Sequence, residues 1–273
     1  MTTLETIRHR LDNLPVDPDA LPPVGTLLRI LRAEEPMMWA RQYLHSDYTP
    51  AAAEALAGIS FDPYSATVDV EGGAAVLKFG PTVFDFFGSD HFDRYLDEAA
   101  RASDTISDAF ARAGIPSAFE IIVATLEHLW PGPVEVATEK DRPYFAGVVR
   151  SIPDGTLPHI DNAQIETPDL SIGKTWAQGT ILLYLEMPSS GGATKVFAKQ
   201  PTEDDPTHAW GYAHEALNGV RFAGVTPNPG DMLLFPTTCI HQVDPIPPHA
   251  TGRRITVSAF YGPADDGLLL VWS

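Results

Sequence analysis

The spacing of apolar residues divides the chain into a front part that is mainly helical and a back part that is rich in short strands. Apolar residues three or four apart predict front-part helices over residues 2–14, 24–35, 89–114 and 117–130. The sequence Ser117-Ala118-Phe119-Glu120 has the spacing of a capping box, and Gly114 is a typical helix end. A Gly72-Gly73 pair between two alternating runs predicts a hairpin over residues 66–80.

From about Pro133 the pattern changes to short apolar runs separated by Gly and Pro. These runs predict strands within residues 133–137, 144–152, 180–187, 194–197, 231–235, 255–262 and 268–272. Short strands at this spacing favour a sandwich or a barrel. Because no linker interrupts the chain, we predict one α+β domain in which a helical part, residues 1–132, packs against a β core, residues 133–273.

Charge and cysteine content narrow the classes of function. The chain carries 18 basic and 36 acidic residues, a formal charge of −18, which disfavours nucleic acid as a partner but leaves a small anionic ligand open. A single cysteine, Cys239, excludes an intramolecular disulfide and a thiolate zinc cluster. No run of about 18 apolar residues and no apolar leader is present, so we expect a cytoplasmic protein without a membrane partner. The oligomeric state stays open.

The spacing His-x-Asp, which two metal ligands often share, is not specific by itself in this chain. It occurs at His45/Asp47, His91/Asp93 and His159/Asp161. The first pair lies in a polar break, and the second lies in the first turn of a predicted helix, where acids offset the helix dipole. The third pair follows a predicted strand and a Pro-Asp-Gly turn, and this context favours it as a metal site.

In an extended segment, alternation places His159 and Asp161 on one face and Ile160 on the other. His241, which follows a turn and an apolar strand, offers a second imidazole. Two histidines and one carboxylate form the facial triad, which leaves coordination positions open on Fe(II). At this point a metal site without redox chemistry, or ordinary polar residues, are still alternatives.

Four segments, in order over about residues 144–262, resemble the 2-oxoglutarate and Fe(II)-dependent oxygenase superfamily, especially its prolyl-4-hydroxylase-like branch and related bacterial natural-product hydroxylases. The segments are RSIPDGTLPHIDN, TILLYLEMPSSGGATKVF, NPGDMLLFPTTCIHQV and GRRITVSAF. The resemblance implies a double-stranded β-helix, or jelly roll. It also implies that His159, Asp161 and His241 bind Fe(II), and that Arg254, with Thr256 beside it, holds the far carboxylate of 2-oxoglutarate. Arg253 is the alternative to Arg254 for this role. Adjacent strand residues face opposite ways, so only one of the two arginines can face the pocket.

Two further residues are expected in the pocket. Arg150 departs from the family pattern, because many relatives have tyrosine there, and it is a candidate for contact with the cosubstrate or with an anionic substrate. Thr180 is expected to line the same face of the barrel.

The resemblance implies an enzyme that uses Fe(II), 2-oxoglutarate and O2 to hydroxylate an unactivated C–H bond of a small molecule, with release of succinate and CO2. An amino acid or a natural-product intermediate is the expected substrate. Related halogenases have a small residue at the carboxylate position, so Asp161 favours hydroxylation. The alternatives are desaturation or cyclisation, and a cupin-like binding module without redox catalysis. An arginine after His241 favours the oxygenase, because a bare metal site has no need of it.

Overall fold

The structure is a computed structural model that describes residues 10–64, 76–86, 92–208 and 210–273. Its α-helices are α1 (Thr26–Leu31), α2 (Tyr48–Leu56), α3 (Phe92–Ala113), α4 (Ala118–Leu129) and α5 (Ala163–Glu166). Its strands are β1 (Met38–Ala40), β2 (Asp62–Pro63), β3 (Leu77–Phe79), β4 (Val134–Val136), β5 (Thr138–Glu139), β6 (Arg142–Pro143), β7 (Val148–Ser151), β8 (Gly179–Glu186), β9 (Thr194–Phe197), β10 (Thr207–His208), β11 (Gly211–Tyr212), β12 (Phe222–Val225), β13 (Met232–Pro236), β14 (His241–Val243), β15 (Ile255–Pro263) and β16 (Leu269–Trp272).

Two sheets form the β core, and their strands pair antiparallel except for β16 and β4, which are parallel. The major sheet has the order β1-β13-β8-β15-β7-β3-β2, and β16 and β4 extend it beside β15. The minor sheet has the order β12-β9-β14, and an antiparallel bridge between His159 and His241 adds the His159 segment beside β14. From β7 to β15 the chain passes repeatedly between the two sheets, which is the topology of a jelly roll. The predicted α+β jelly-roll fold is confirmed.

Alternation along the central strands of the major sheet separates a helix-facing side from an inner side. In β8, Ile181, Leu183 and Leu185 belong to the large apolar core, which also holds residues of α1, α2 and α4. Thr180 and Leu182, on the other side of the same strand, line the space between the sheets. Because both faces are covered, β8 is almost entirely buried and reads as a continuous apolar run.

Each apolar run predicted in the back part contains a strand, namely β4, β7, β8, β9, β13, β15 and β16. In the front part, α4 begins with the predicted capping box. The Ser117 hydroxyl accepts from the Glu120 amide at 3.1 Å, and the Glu120 carboxylate accepts from the Ser117 amide at 2.8 Å. Helix α3 ends at Ala113, directly before Gly114, because the left-handed φ of 68° at this glycine is incompatible with continuation of the helix. Within the described ranges no single helix is long and apolar enough to cross a bilayer; α3 and α4 meet that test only together, across a bend of 100°.

Several front-part elements differ from the prediction or extend beyond the described residues. Helix α1 ends at Leu31, short of the predicted residue 35, because Ala33 adopts a left-handed φ of 54°. Helix α2 follows directly after the His45–Asp47 break and has no counterpart among the predicted helices. The first part of the helix predicted over residues 2–14, the Gly72-Gly73 turn and the start of the third predicted helix lie outside the described residues.

The major sheet contains strands from both sides of residue 132, where the sequence pattern changes from mainly helical to strand-like. Strand β1 pairs with β13, and β3 pairs with both β2 and β7. Strand β3 lies within the predicted hairpin, but its partner β2 precedes the predicted range, so the hairpin itself stays a prediction. The front part therefore supplies both the outer helical layer and three strands of the sheet, and this brings front-part residues to the edge of the inner space.

Candidate active site

A cavity of about 170 Å³ lies between the two sheets. The residues singled out from the sequence all line it: His159, Asp161, His241, Arg254, Thr256, Arg150 and Thr180. The two histidines and Asp161 approach it from the minor-sheet side. The two arginines and the two threonines come from the β7, β8 and β15 side, so a candidate metal-binding wall lies opposite a cationic wall.

Backbone pairing brings the three candidate metal ligands together. The amides and carbonyls of His159 and His241 pair reciprocally at 3.0 and 2.9 Å, and the Asp161 amide donates to the Thr237 carbonyl at 3.0 Å. One ligand atom from each of the three side chains lies within 4.8 Å of the other two. The His159 segment is extended but is not part of a regular strand. Ile160 therefore also lines the cavity, although strict alternation predicted that it would face away from it.

The tautomer of each histidine follows from its surroundings. Nδ1 of His159 lies 2.8 Å from the Leu157 carbonyl oxygen, and Nδ1 of His241 lies 3.0 Å from the Cys239 carbonyl oxygen. Because a carbonyl only accepts, each Nδ1 carries a proton and each Nε2 presents its lone pair to the cavity. Burial, and then the charge of His241, lower the pKa of His159 to about 4, so this imidazole is neutral near pH 7.

The donor set fits a divalent transition metal. Nε2 of His241 lies 3.2 Å from Oδ2 of Asp161, and Nε2 of His159 lies 3.9 Å from the same oxygen. Although burial opposes ionisation, the proximity of His241, His159 and Arg150 lowers the pKa of Asp161 to about 2, so this side chain is a carboxylate. Two lone pairs therefore converge on a carboxylate, and a cation among the three atoms satisfies all of them. Two imidazoles and one carboxylate are the ligands of a non-haem Fe(II) site.

Arg254 is the most deeply buried cation of the cavity. Its side chain is fully buried, its Nη2 lies 3.4 Å from the Thr194 hydroxyl, and its guanidinium lies 5.2 Å from the centre of the Tyr184 ring. Nε and Nη1 have no hydrogen-bond partner among the described residues. Burial, and also the charge of Arg150, lower the pKa of Arg254. A buried guanidinium with unpaired donors is a site prepared for an anion.

The neighbouring arginine faces the other way. Arg253 is exposed and forms a bidentate ion pair with Glu186, at 2.9 and 2.7 Å. Of the two candidates, Arg254 is therefore the one whose side chain enters the cavity. Thr256 is fully buried beside it with an unpaired hydroxyl, whereas the Thr180 hydroxyl donates to the Ala259 carbonyl at 3.1 Å.

Arg150 enters the cavity from β7, where it is paired in register with Thr256 of β15 and Lys78 of β3. Its Nε donates to the Tyr64 hydroxyl at 2.8 Å, and its Nη1 donates to the Ser258 hydroxyl. Neither partner carries a formal charge. The tyrosine that many relatives have at position 150 is thus replaced by a cation held between two hydroxyl groups.

Sequence reasoning missed several residues of the cavity. Ser258, which does not line the cavity but accepts from Arg150, could have been predicted because it alternates with Thr256 along β15. Tyr64 reaches the cavity only because β2 pairs with β3 and β3 pairs with β7. Trp210 packs edge-on against His159, with ring centres 5.3 Å apart, and its buried Nε1 has no partner among the described residues. Glu166, at the end of α5, also lines the cavity, and burial, with a contribution from the Asp161 charge, raises its pKa to about 8.

The similarity of this chain to known proteins agrees with the arrangement of the candidate metal site. Residues 147–262 match the model of the 2OG-Fe(II) oxygenase superfamily. The chain is 32% identical over 185 residues to an L-gamma-glutamyl-L-propargylglycine hydroxylase of Streptantibioticus cattleyicolor, an alignment that covers 66% of this chain and 67% of the relative. It is 30% identical over 155 residues to the leucinostatins biosynthesis cluster protein S of Purpureocillium lilacinum, covering 52% of this chain and 64% of that protein.

A solved structure of an N-substituted L-amino acid dioxygenase from Burkholderia ambifaria, in complex with α-ketoglutarate, has a similar fold. The TM-score is 0.59 at 12% identity, and the superposition covers 91% of this chain and 90% of that one. At that identity the similarity concerns the fold alone. It extends over nearly the whole chain, including the helical front part that lies outside the family-model match.

Proposed function

Because this chain belongs to the 2-oxoglutarate–Fe(II) oxygenase superfamily and is a dioxygenase dependent on both, we propose that it hydroxylates an unactivated C–H bond of a small molecule. His159, Asp161 and His241 hold Fe(II), and Arg254 holds the distal carboxylate of 2-oxoglutarate. When bound, the metal and the cosubstrate together supply the oxidation of a C–H bond by O2, with release of succinate and CO2. An amino acid or a natural-product intermediate is the proposed substrate, in keeping with the hydroxylase and the biosynthetic protein to which the chain is similar.

One observation carries the proposal. A buried arginine with two unpaired nitrogen atoms shares a single cavity with a His-Asp-His group whose ligand atoms lie within 4.8 Å of one another. A metal site without redox chemistry gains nothing from that buried cation, which lowers the affinity for a metal ion. An oxygenase that binds a dicarboxylate needs it.

The residues of this chain perform distinct tasks in the proposed reaction. Leu157 and Cys239 fix the histidine tautomers through their carbonyl groups, which keeps both Nε2 atoms available as ligands. The apolar side chains around the arginines exclude water, so the ion pair with a bound carboxylate forms in a medium of low polarity. Asp161 supplies a ligand at the position where related halogenases have a small residue, which favours hydroxylation.

The proposal is tested by anaerobic addition of Fe(II) and 2-oxoglutarate, followed by O2 and a panel of small acids. A visible charge-transfer band is expected in the wild type and in Arg253→Gln, and is expected to be lost in His241→Ala. Succinate and a product heavier by one oxygen atom are expected with the correct substrate. A product lighter by two hydrogen atoms would favour desaturation or cyclisation. If the band is absent from the wild type, the proposed assignment of the site is wrong.

A further inference from the structure

The cavity contains more positive charge than the cosubstrate explains. Arg254 and Arg150 both line it, and the charge of Arg150 contributes to the lowered pKa of Arg254. Two cations that share a cavity repel each other, and each bound anion relieves that repulsion. In the proposed function the distal carboxylate of 2-oxoglutarate neutralises one guanidinium. The second guanidinium then remains available to another anion.

The surroundings of Arg150 show a cation without a carboxylate partner. Its cross-strand neighbour Lys78 pairs with Asp85 at 2.9 Å, and both of those side chains are nearly buried. Among the residues that the structure describes, none forms a comparable ion pair with Arg150. Its recorded hydrogen bonds go to two neutral hydroxyls, those of Tyr64 and Ser258. Two cations stand side by side on one sheet face, and only Lys78 is neutralised by the protein.

The carboxyl groups that line the cavity do not change this conclusion. Asp161 belongs to the proposed metal site, and no ion pair joins it to Arg150. Glu166 lies on α5, and its Oε2 accepts from the Asn162 amide at 3.3 Å. Because burial raises the pKa of Glu166 to about 8, this carboxyl group is mostly neutral at pH 7.

Geometry distinguishes the two arginines. Arg254 presents two unpaired nitrogen atoms from a fully buried position beside Thr256. Arg150 uses Nε and Nη1 to hold its place, and its side chain is only partly buried. The rings of Tyr64 and Phe260 flank the guanidinium, 5.8 and 5.7 Å from its centre, and fix its plane. An oriented cation with its remaining edge free suits one carboxylate from a second molecule.

The part of the cavity around Arg150 is built partly from the front of the chain. Tyr64 and Phe84 lie outside residues 147–262, the range shared with the family model. The side chains beside them are largely apolar, and include Val76, Ile152 and Phe260. A ligand there meets one cation at one end and hydrocarbon along the rest.

We propose, on the basis of the function proposed above, that Arg150, oriented by Tyr64 and Ser258, binds a carboxylate of the primary substrate. The substrate class is then a small carboxylic acid with an apolar body. Arg150 is a binding residue for the substrate, and Tyr64 and Ser258 are positioning residues that act through it. The cosubstrate uses Arg254.

The test is calorimetric and needs no knowledge of the natural substrate. Protein loaded with Mn(II) and 2-oxoglutarate is titrated with hexanoate and, separately, with hexanamide, which has the same apolar chain without the charge. Hexanoate is expected to bind the wild type at least about tenfold more tightly than hexanamide, the ratio typical of a charge-assisted pair. In Arg150→Gln the two probes are expected to bind within about twofold of each other, because only a charged donor separates them.

Arg253→Gln is the matched control, since it removes the same charge from an exposed ion pair, and it should retain the preference for hexanoate. Tyr64→Phe and Ser258→Ala keep the charge but release one nitrogen each, and should reduce the preference to about threefold. These two variants also give the comparison if Arg150→Gln does not fold. Equal binding of both probes to the wild type, or a full preference for hexanoate in Arg150→Gln, would overturn the proposal.

The affinity for 2-oxoglutarate, measured first with Mn(II), separates the two proposals. Arg150→Gln should change it by less than about threefold, whereas Arg254→Gln should weaken it at least about tenfold. Equal losses in the two variants would assign Arg150 to the cosubstrate and overturn the inference alone. A wild type that does not bind 2-oxoglutarate would contradict the proposed function and the inference that rests on it.

Discussion

The two faces of the major sheet are built from alternate residues of the same strands, yet they differ in nearly every physical property. On the outer face, Ile181, Leu183 and Val257 pack in the main apolar core with the helices. On the inner face, Thr180 and Thr256 line a cavity together with two arginines. A shift of one residue along β8 or β15 therefore exchanges a position in the apolar core for one that lines the cavity.

The inner face carries an energetic cost that the outer face avoids. Arg254, Thr256 and Trp210 line the cavity and hold buried polar atoms without partners among the described residues. Each such group costs about 1–3 kcal/mol relative to a paired one. Ligands that hydrogen-bond to these atoms recover that free energy. The unpaired groups therefore lower the stability of the ligand-free protein and raise its affinity for such ligands.

The largest effect is expected from the metal-binding wall. His241→Ala removes one of the three proposed metal ligands, and we expect metal affinity and 2-oxoglutarate turnover to fall by more than about 100-fold, because even the loss of a residue that only supports a ligand costs 10–100-fold. Metal content after dialysis and succinate release are the measurements. His249→Ala, at an exposed histidine, is the control and should behave as the wild type. Full metal content in His241→Ala would contradict the assignment.

Leu183→Ala tests the outer face. This side chain is completely buried in the core between sheet and helices, and its truncation should lower the free energy of unfolding by about 3 kcal/mol. Chemical denaturation measures the loss. The neighbouring Leu182→Ala is the matched comparison: it faces the cavity, leaves less newly created void, and should cost about half as much. Equal losses at the two positions would show that the faces do not differ as described.

Arg254→Gln should separate stability from binding on the inner face. The affinity for 2-oxoglutarate is expected to fall by about 30-fold, since charge-assisted hydrogen bonds contribute roughly 1.5–3 kcal/mol. The ligand-free protein, in contrast, should become more stable by about 1 kcal/mol, because an unpaired buried charge is removed. Calorimetry of binding and thermal unfolding measure the two effects. Arg253→Gln should change neither by much, and a destabilised Arg254→Gln protein would contradict the idea of a strained, ligand-ready cation.

The sequence predicts those features that depend on a local pattern, namely the positions of strands and the face to which each side chain on a strand points. The strands of the back part were recognisable because each is an apolar run bounded by Gly or Pro. Alternation indicated that only one of Arg253 and Arg254 faces the pocket, and the resemblance to the superfamily implied Arg254, with Thr256 beside it. The resemblance to the superfamily added the association of His241 with His159 and Asp161, which are far apart in the chain. These inferences depend on patterns within single segments and on the order of those segments along the chain.

Other features depend on contacts between distant segments, and no local pattern reveals them. Tyr64 reaches Arg150 because β3 pairs with β7, and the separation of 86 positions carries no periodic signal. Helix α2 is short, and its apolar positions give only a weak helical pattern. Glu166 reads as an ordinary polar residue after Asp161, and only the fold shows that it is largely buried beside a second carboxyl group.

The smallest expected effect concerns Glu166 and tests whether the inner face loses stability through its charges. Burial raises the folded-state pKa of Glu166 from 4.5 to about 8. The folded state therefore binds a proton that the unfolded state has released, and stability present below about pH 4.5 is lost as the pH rises to about 8. In metal-free Glu166→Gln this loss should be absent, so the variant should be more stable than the wild type at pH 9 and equal to it at pH 4. Glu135→Gln, at an exposed position on β4, is the control and should follow the wild-type profile at both pH values. Parallel wild-type and Glu166→Gln profiles would mean that the carboxyl group is ionised at no cost, and that the polar groups of the inner face are better solvated than their burial indicates.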